Sequence, residues 1–222
     1  MLNPHRLIVL IILLFSSACG QGQNEQSVDF IGKLVFEKYL ILNADNPFDI
    51  PEDLYRLETI DTITYFLVSD SVVYSETVDI EGKIKGYRRK NMNLEEVFDM
   101  NTKLITNLMS SHNLPSSVKE KFRKTKIRKE VAGLNCTKFL YATNKDDEGT
   151  VYIADDFPYK ISLNEEIRNI SIPMHNEQLE TESVIKSKIT ETLSWTRHLR
   201  LISFTYDPLI KIDHVKEIFG QK

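Results

Sequence analysis

Cys19 is the residue best placed to do chemistry. Its thiol follows Ser16, Ser17 and Ala18, small side chains that let an extended chain enter a peptidase active site. Upstream stand His5 and Arg6, then an apolar run from Leu7 to Phe15. A basic start, an apolar run and small residues before a cut site make a secretory signal peptide. A membrane-spanning helix needs about 20 apolar residues, so the run is too short for a permanent span. Cleavage between Ala18 and Cys19 would leave a nucleophilic thiol at the new N-terminus, able to accept a diacylglycerol group. The alternative is an ordinary signal peptide whose cut site borders a cysteine.

The segment Ser16-Ser-Ala-Cys19 resembles the bacterial lipoprotein lipobox, departing from it at Ser16, where Leu is more usual. The resemblance implies lipid attachment at Cys19. One acyl chain gives only marginal membrane binding, and several give a durable anchor. Three parts follow: a lipoprotein signal peptide over 1–18, a lipidated tether over 19–27, and a single β-rich domain over 28–222. The tether reads Gly-Gln-Gly-Gln-Asn-Glu-Gln after Cys19, a polar composition suited to a flexible spacer. Asp is absent directly after Cys19, so the expected address is the outer membrane, on its periplasmic or surface face.

The remaining candidates for chemistry are sparse. Cys136 has no partner once Cys19 carries lipid, so it reads as a small buried apolar residue, with a reactive thiol as the alternative. No Gly-x-Ser-x-Gly, phosphate loop, dinucleotide fingerprint or His-Glu-x-x-His occurs. None of the five histidines lies three or four residues from another, so local zinc spacing is missing and no metal site is expected. Asp146-Asp-Glu-Gly149 lacks the alternating acidic pattern of a calcium loop and reads as a hairpin turn. Asp155 and Asp156 are adjacent, so a strand would point them to opposite faces. Neither an enzyme nor a cofactor is expected.

Lys119, Lys121, Arg123, Lys124, Lys126, Arg128 and Lys129 form a local basic patch in a chain of net charge −4. It fits anionic headgroups or an acidic partner, or else a solvated rim. Because residues 1–18 carry Arg6 alone, the chain from Cys19 onward has a net charge of −5. Such a balance, with an extracytoplasmic address, argues against nucleic acid. Trp195 shares its parity with Leu199 and Leu201 and reads as core.

Composition suits an ordinary globular domain, at 41% apolar and 27% charged. The pattern along it is mostly of period two. Val28, Phe30, Leu34, Phe36, Leu40 and Leu42 share one parity of a first long strand, interrupted at Gly32 and Lys38. Thr62 to Val68 and Val72 to Val78 flank Ser69-Asp-Ser71 as a hairpin rich in β-branched and aromatic residues. Glu81-Gly82, Asn101-Thr102 and Gly133 mark further turns. Short helices are expected near 51–57, after Pro115 toward Phe122, and from Asn164. About ten strands at short spacing, with no βαβ alternation, predict a mainly β fold. The expected form is an antiparallel curved sheet or unclosed half-barrel with two or three short covering helices.

Lys129-Glu-Val-Ala-Gly-Leu-Asn-Cys-Thr-Lys138 and Gly149-Thr-Val-Tyr-Ile-Ala-Asp-Asp-Phe-Pro158 are similar to a stretch of the GLPGLI family of Bacteroidota envelope proteins. Val97-Phe-Asp-Met-Asn-Thr-Lys103 resembles a short hairpin found in the same setting. The likeness spans roughly 60–160, with Leu134 where an aromatic is usual. It implies a LolA-like half-barrel with helices as a lid, in which some relatives carry lipids or lipoproteins. It brings no catalytic residue with it. The expected function is that of a membrane-anchored envelope lipoprotein binding a lipid or other apolar ligand. The alternative is a structural or interaction module with a fully packed sheet and an envelope protein as partner.

Overall fold

The computed structural model describes residues 28–44, 59–91, 94–109, 120–143, 147–163, 173–175 and 177–220. Twelve strands alternate along them. These are β1 (Gly32–Ala44), β2 (Thr59–Leu67), β3 (Val72–Asp79), β4 (Ile84–Asn91), β5 (Leu94–Asp99) and β6 (Ile105–Met109). Then come β7 (Glu120–Val131), β8 (Leu134–Thr143), β9 (Glu148–Ala154), β10 (Met174–His175), β11 (Gln178–Lys188) and β12 (Leu193–Tyr206). One helix, α1 (Asp213–Ile218), completes the described elements.

The sheet runs β6-β5-β4-β3-β2-β1-β12-β11-β9-β8-β7, with β10 paired to β11 off this path. Every named pair is antiparallel. Among the described residues the two ends, β6 and β7, pair with no further strand, so the sheet is unclosed. Its middle is the pairing of β1 with β12, the longest-range strand pairing among the described residues, running from Gly32 opposite Tyr206 to Ala44 opposite Leu193.

Local chemistry sets the hairpins. Asp79 Oδ1 accepts the backbone N–H groups of Glu81 and Lys83 at 3.0 and 2.8 Å, and Gly82 takes the left-handed conformation that the turn requires. Ala132 and Gly133 both have positive φ, the two-residue turn whose twist matches that of the flanking strands.

Two apolar clusters hold the sheet. The larger joins Phe30, Leu34, Phe36, Leu67, Val73, Val131, Leu134, Cys136 and Leu201. The smaller joins Phe66, Tyr74 and Tyr87 to Ile212, Val215 and Phe219. Ile212, Val215 and Phe219 recur at helical spacing, so α1 presents one apolar stripe to the sheet.

Several expectations change. One short helix, not two or three, is found among the described residues. Glu120, Lys121 and Phe122 belong to a strand: Glu120 to Lys124 pair with Thr143 to Phe139, and Phe122 packs edge-on against Tyr141 at 5.1 Å. Cross-strand pairing therefore overrides the helix expected there from Pro115. The helices expected near 51–57 and from Asn164 lie outside the described residues. Strand β10 is too short to leave a pattern.

Candidate ligand groove

Directly opposed residues in a sheet share a face, so the register shows what β1 to β5 and β12 present together. One row runs Leu199, Lys38, Asp61. The next runs Leu201, Phe36, Ile63, Thr77, Gly86, Asp99. A third runs Leu34, Tyr65, Ser75, Arg88, Val97. A fourth runs Leu67, Val73, Lys90, Glu95. Over them lies a cavity of about 450 Å³. That is within the range of small-molecule sites, roughly 300–1,000 Å³.

Apolar and charged side chains line the cavity together. Ile63, Tyr65, Val73, Val97 and Leu199 supply apolar surface. Tyr65 packs edge-on against buried Phe36 at 5.8 Å, which fixes its ring. Gly86 leaves a gap in the middle of its row. A Cβ there would lie 2.5 Å from the Phe98 carbonyl oxygen, so the strands approach too closely for any side chain.

A β-bulge brings in one cation. Thr77 pairs with Gly86 and Val78 with Ile84, so Lys85 is the extra residue. A bulge re-aims its side chain, and Lys85 Nζ reaches Asp61 Oδ1 at 2.9 Å. Glu95 serves two cations, Arg88 at 3.2 Å and Lys90 at 3.0 Å. Asp99 Oδ1 accepts the N–H groups of Asn101 and Thr102, both at 2.8 Å, and these bonds hold its carboxyl below the usual range. Lys38 differs from these: burial pushes its ammonium below the usual lysine range, against the opposing field of Asp61.

The same face continues past β12. Leu40, Arg197, Ile185, Gly149, Tyr141 and Phe122 form one row across β1, β12, β11, β9, β8 and β7. Arg197 thus stands between the groove and an aromatic half. There His175 stacks on Phe122 at 3.8 Å, and Tyr141 Oη donates to Glu120 at 3.2 Å. Burial raises Tyr141 to about 12 and Glu180 to about 7, the latter opposed by Arg197. Burial also lowers His175.

The residues singled out by sequence fall elsewhere. Ala18, Cys19, Lys119 and His112 lie outside the described residues. Cys136 is fully buried; its thiol contacts the Leu134 carbonyl at 3.3 Å and accepts from the Thr181 hydroxyl at 3.1 Å, and burial raises its pKa. Asp155 accepts from the Thr137 hydroxyl at 2.7 Å, and Asp156 from the Asn135 backbone and side chain at 2.9 and 2.6 Å, so both carboxylates tie loop to strand. Asp147 caps its turn through Thr143. Lys121, Arg123, Lys124, Lys126 and Arg128 are exposed on edge strand β7, whereas Lys129 is bound to Glu182 at 2.6 Å on the far face. Trp195 is half-buried rather than core, opposite Leu42. Among the described residues no group of three His, Cys, Asp or Glu could hold a metal ion.

The groove cations escaped the sequence reading, although one signal was present. Lys38 interrupts the apolar parity of β1, which places a charge on the face that should be dry.

No family model matches the chain, and no curated protein matches it. Similar solved structures include a domain from Vibrio parahaemolyticus named for outer membrane lipoprotein sorting, at 7% identity and TM-score 0.37, covering 86% of this chain and 92% of that one. A LolA superfamily protein from Nitrosomonas europaea has 6% identity and TM-score 0.36, covering 84% and 91%. MucB has 9% identity and TM-score 0.40; the alignment covers 82% of this chain but only 56% of MucB. At TM-scores this low the likenesses carry no argument, and the unclosed antiparallel sheet rests on its own strand pairing.

Proposed function

We propose that this chain is a lipid-anchored envelope protein whose open sheet binds a ligand with an apolar part, without catalysis. The observation that carries the reading is the 450 Å³ groove, whose lining includes the half-buried apolar residues Ile63, Tyr65, Val97 and Leu199. Apolar surface left on a sheet face is stabilised by whatever removes it from water, at about 25 cal/mol per Å². The pattern around Cys19 supports the anchor and an envelope address, with the outer membrane as the expected destination.

Two measurements test the two parts. Cells fed labelled palmitate should label the wild-type chain and not Cys19→Ser, and the variant should leave the membrane fraction. An unlabelled wild-type chain would end the anchoring reading. Native mass spectrometry of Cys19→Ser purified without detergent should show one bound small molecule of lipid mass. A chain that shows no bound mass, and accepts no added amphiphile, would end the binding reading.

A second reading, an interaction module of the envelope, is favoured by the β7 edge. It exposes Lys121, Arg123, Lys124 and Lys126 beside Ile127. Basic residues also guard edges against unwanted pairing. Crosslinking in intact cells should recover a partner through β7 if this reading holds, and none if the charges only protect the edge.

A further inference from the structure

We propose that the groove selects a single-chain amphiphile with an anionic head, seated between Lys38 and Arg197 with its chain over Ile63, Tyr65 and Val97. This rests on the binding reading above and adds the class of ligand.

The first ground is charge. Lys38, Lys85, Arg88, Lys90 and Arg197 line the groove against Asp61, Glu95 and Asp99, an excess of two cations. The chain as a whole carries −4. A local reversal inside a concavity is costly, because like charges facing one low-dielectric wall repel.

The second ground is how the carboxylates are already engaged. Asp61 bonds Lys85, Glu95 bonds Arg88 and Lys90, and Asp99 closes its own turn. Among the described residues neither Lys38 nor Arg197 has an ion pair. The register explains why they act together. Lys38 is opposite Leu199 and Leu40 is opposite Arg197, so the two cations are diagonal neighbours on one face. Burial first, then the fields of Arg88, Arg197 and Lys85, work against the Lys38 ammonium; Asp61, directly opposite and already bonded to Lys85, offsets them only in part. An anion placed between Lys38 and Arg197 would relieve that repulsion.

The third ground is what lies beside the pair. A small inorganic anion would leave the floor of Ile63, Tyr65 and Val97 wet. A neutral lipid would leave half-buried Lys38 facing low-dielectric surface and exposed Arg197 without a counter-charge. A carboxylate or phosphate on an acyl chain satisfies both.

Trp195, the one tryptophan in the chain, shares this face two residues before Arg197 and reports binding by fluorescence. The full chain carrying Cys19→Ser, exported and purified without detergent, is titrated with dodecanoate, dodecyl phosphate, monododecanoylglycerol and inorganic phosphate. All are kept below micelle-forming concentrations, with calorimetry as a second readout. The account expects at least one anionic amphiphile to bind tenfold or more tighter than the neutral one. Lys38→Gln and Arg197→Gln should each reduce that preference to twofold or less, while Lys38→Arg keeps it. A gain for only one of the two heads supports the proposal and names the head. Equal binding of neutral and anionic chains overturns this inference and leaves the groove reading standing. Inorganic phosphate binding as tightly as dodecyl phosphate overturns the amphiphile. Failure of every amphiphile to bind ends the groove reading itself.

Discussion

Tyr65 and Phe66 are consecutive residues of β2, yet they end in different chemical surroundings. Phe66 shares its face with Tyr74, Arg89 and Glu96 in one row across β2 to β5. The chain end seals that face: Ile212 and Val215 of the α1 region are 1% and 0% exposed, and Phe219 packs with Tyr74 at 6.5 Å. Even its ion pair, Arg89 with Glu96, is covered, with the guanidinium 5.4 Å from the Phe219 ring. Tyr65 shares its face with Ser75, Arg88 and Val97, which line the groove. Period-two alternation therefore gives β2 to β5 a dry side and an amphipathic side. The difference lies in what is laid over each face rather than in strand propensity.

If the comparison is right, truncation should cost very different amounts on the two sides. Phe66→Ala removes an aromatic from the sealed side and should lower stability by about 3–5 kcal/mol in urea unfolding. Ile63→Ala, on the half-buried groove side, should cost roughly half of that or less. Equal costs would break the contrast between a packed and an open face.

Glu95 sharpens the comparison at a smaller scale. It is the shared partner of Arg88 and of Lys90, and Lys90 is only 9% exposed. Glu95→Gln leaves a nearly buried ammonium without its counter-charge. A loss of about 2 kcal/mol is expected, below the fully buried limit because Arg88 and the groove are wet. A loss under about 0.5 kcal/mol would mean that water already screens the groove rim.

The last effect is a pH dependence at the far end of the groove face. Glu180 has its folded pKa raised to about 7 from an ordinary carboxylate value of 4.5. Between those values the folded state holds a proton that the unfolded state has released. The contribution of Glu180 is therefore present at low pH and is lost as pH rises through that window. Thermal midpoints measured at pH 5 and pH 8 should fall less for Glu180→Gln than for the wild-type chain. Identical slopes would place Glu180 in water.

Much of the sheet was legible from alternation alone. Of the parity Val28, Phe30, Leu34, Phe36, Leu40 and Leu42, Leu34, Phe36 and Leu42 of β1 and Phe30 just before it are buried, Leu40 is half-buried, and Val28 is exposed. The hairpin around Ser69-Asp-Ser71 and the turns at Gly82 and Gly133 follow from local backbone chemistry. Phe122 shows where local reading fails: Pro115 and the lysines suggest a helix, but Tyr141 and His175 arrive from 19 and 53 residues further along to make it a strand. The groove was legible only as a misplaced Lys38. Its partners come from positions 61, 85, 88 and 197, and only the register of β1 with β2 and β12, plus the bulge at Lys85, brings them together.

The most direct test of the open face uses a dodecanoate that carries a photoreactive diazirine at mid-chain. After illumination of the Cys19→Ser chain, adducts are mapped by mass spectrometry to single residues. The account predicts labelling at Ile63, Tyr65 and Val97, with Phe66, Tyr74 and Val215 of the sealed face unlabelled. Adducts concentrated on the α1 side, or spread evenly over both parities of β2, would contradict it.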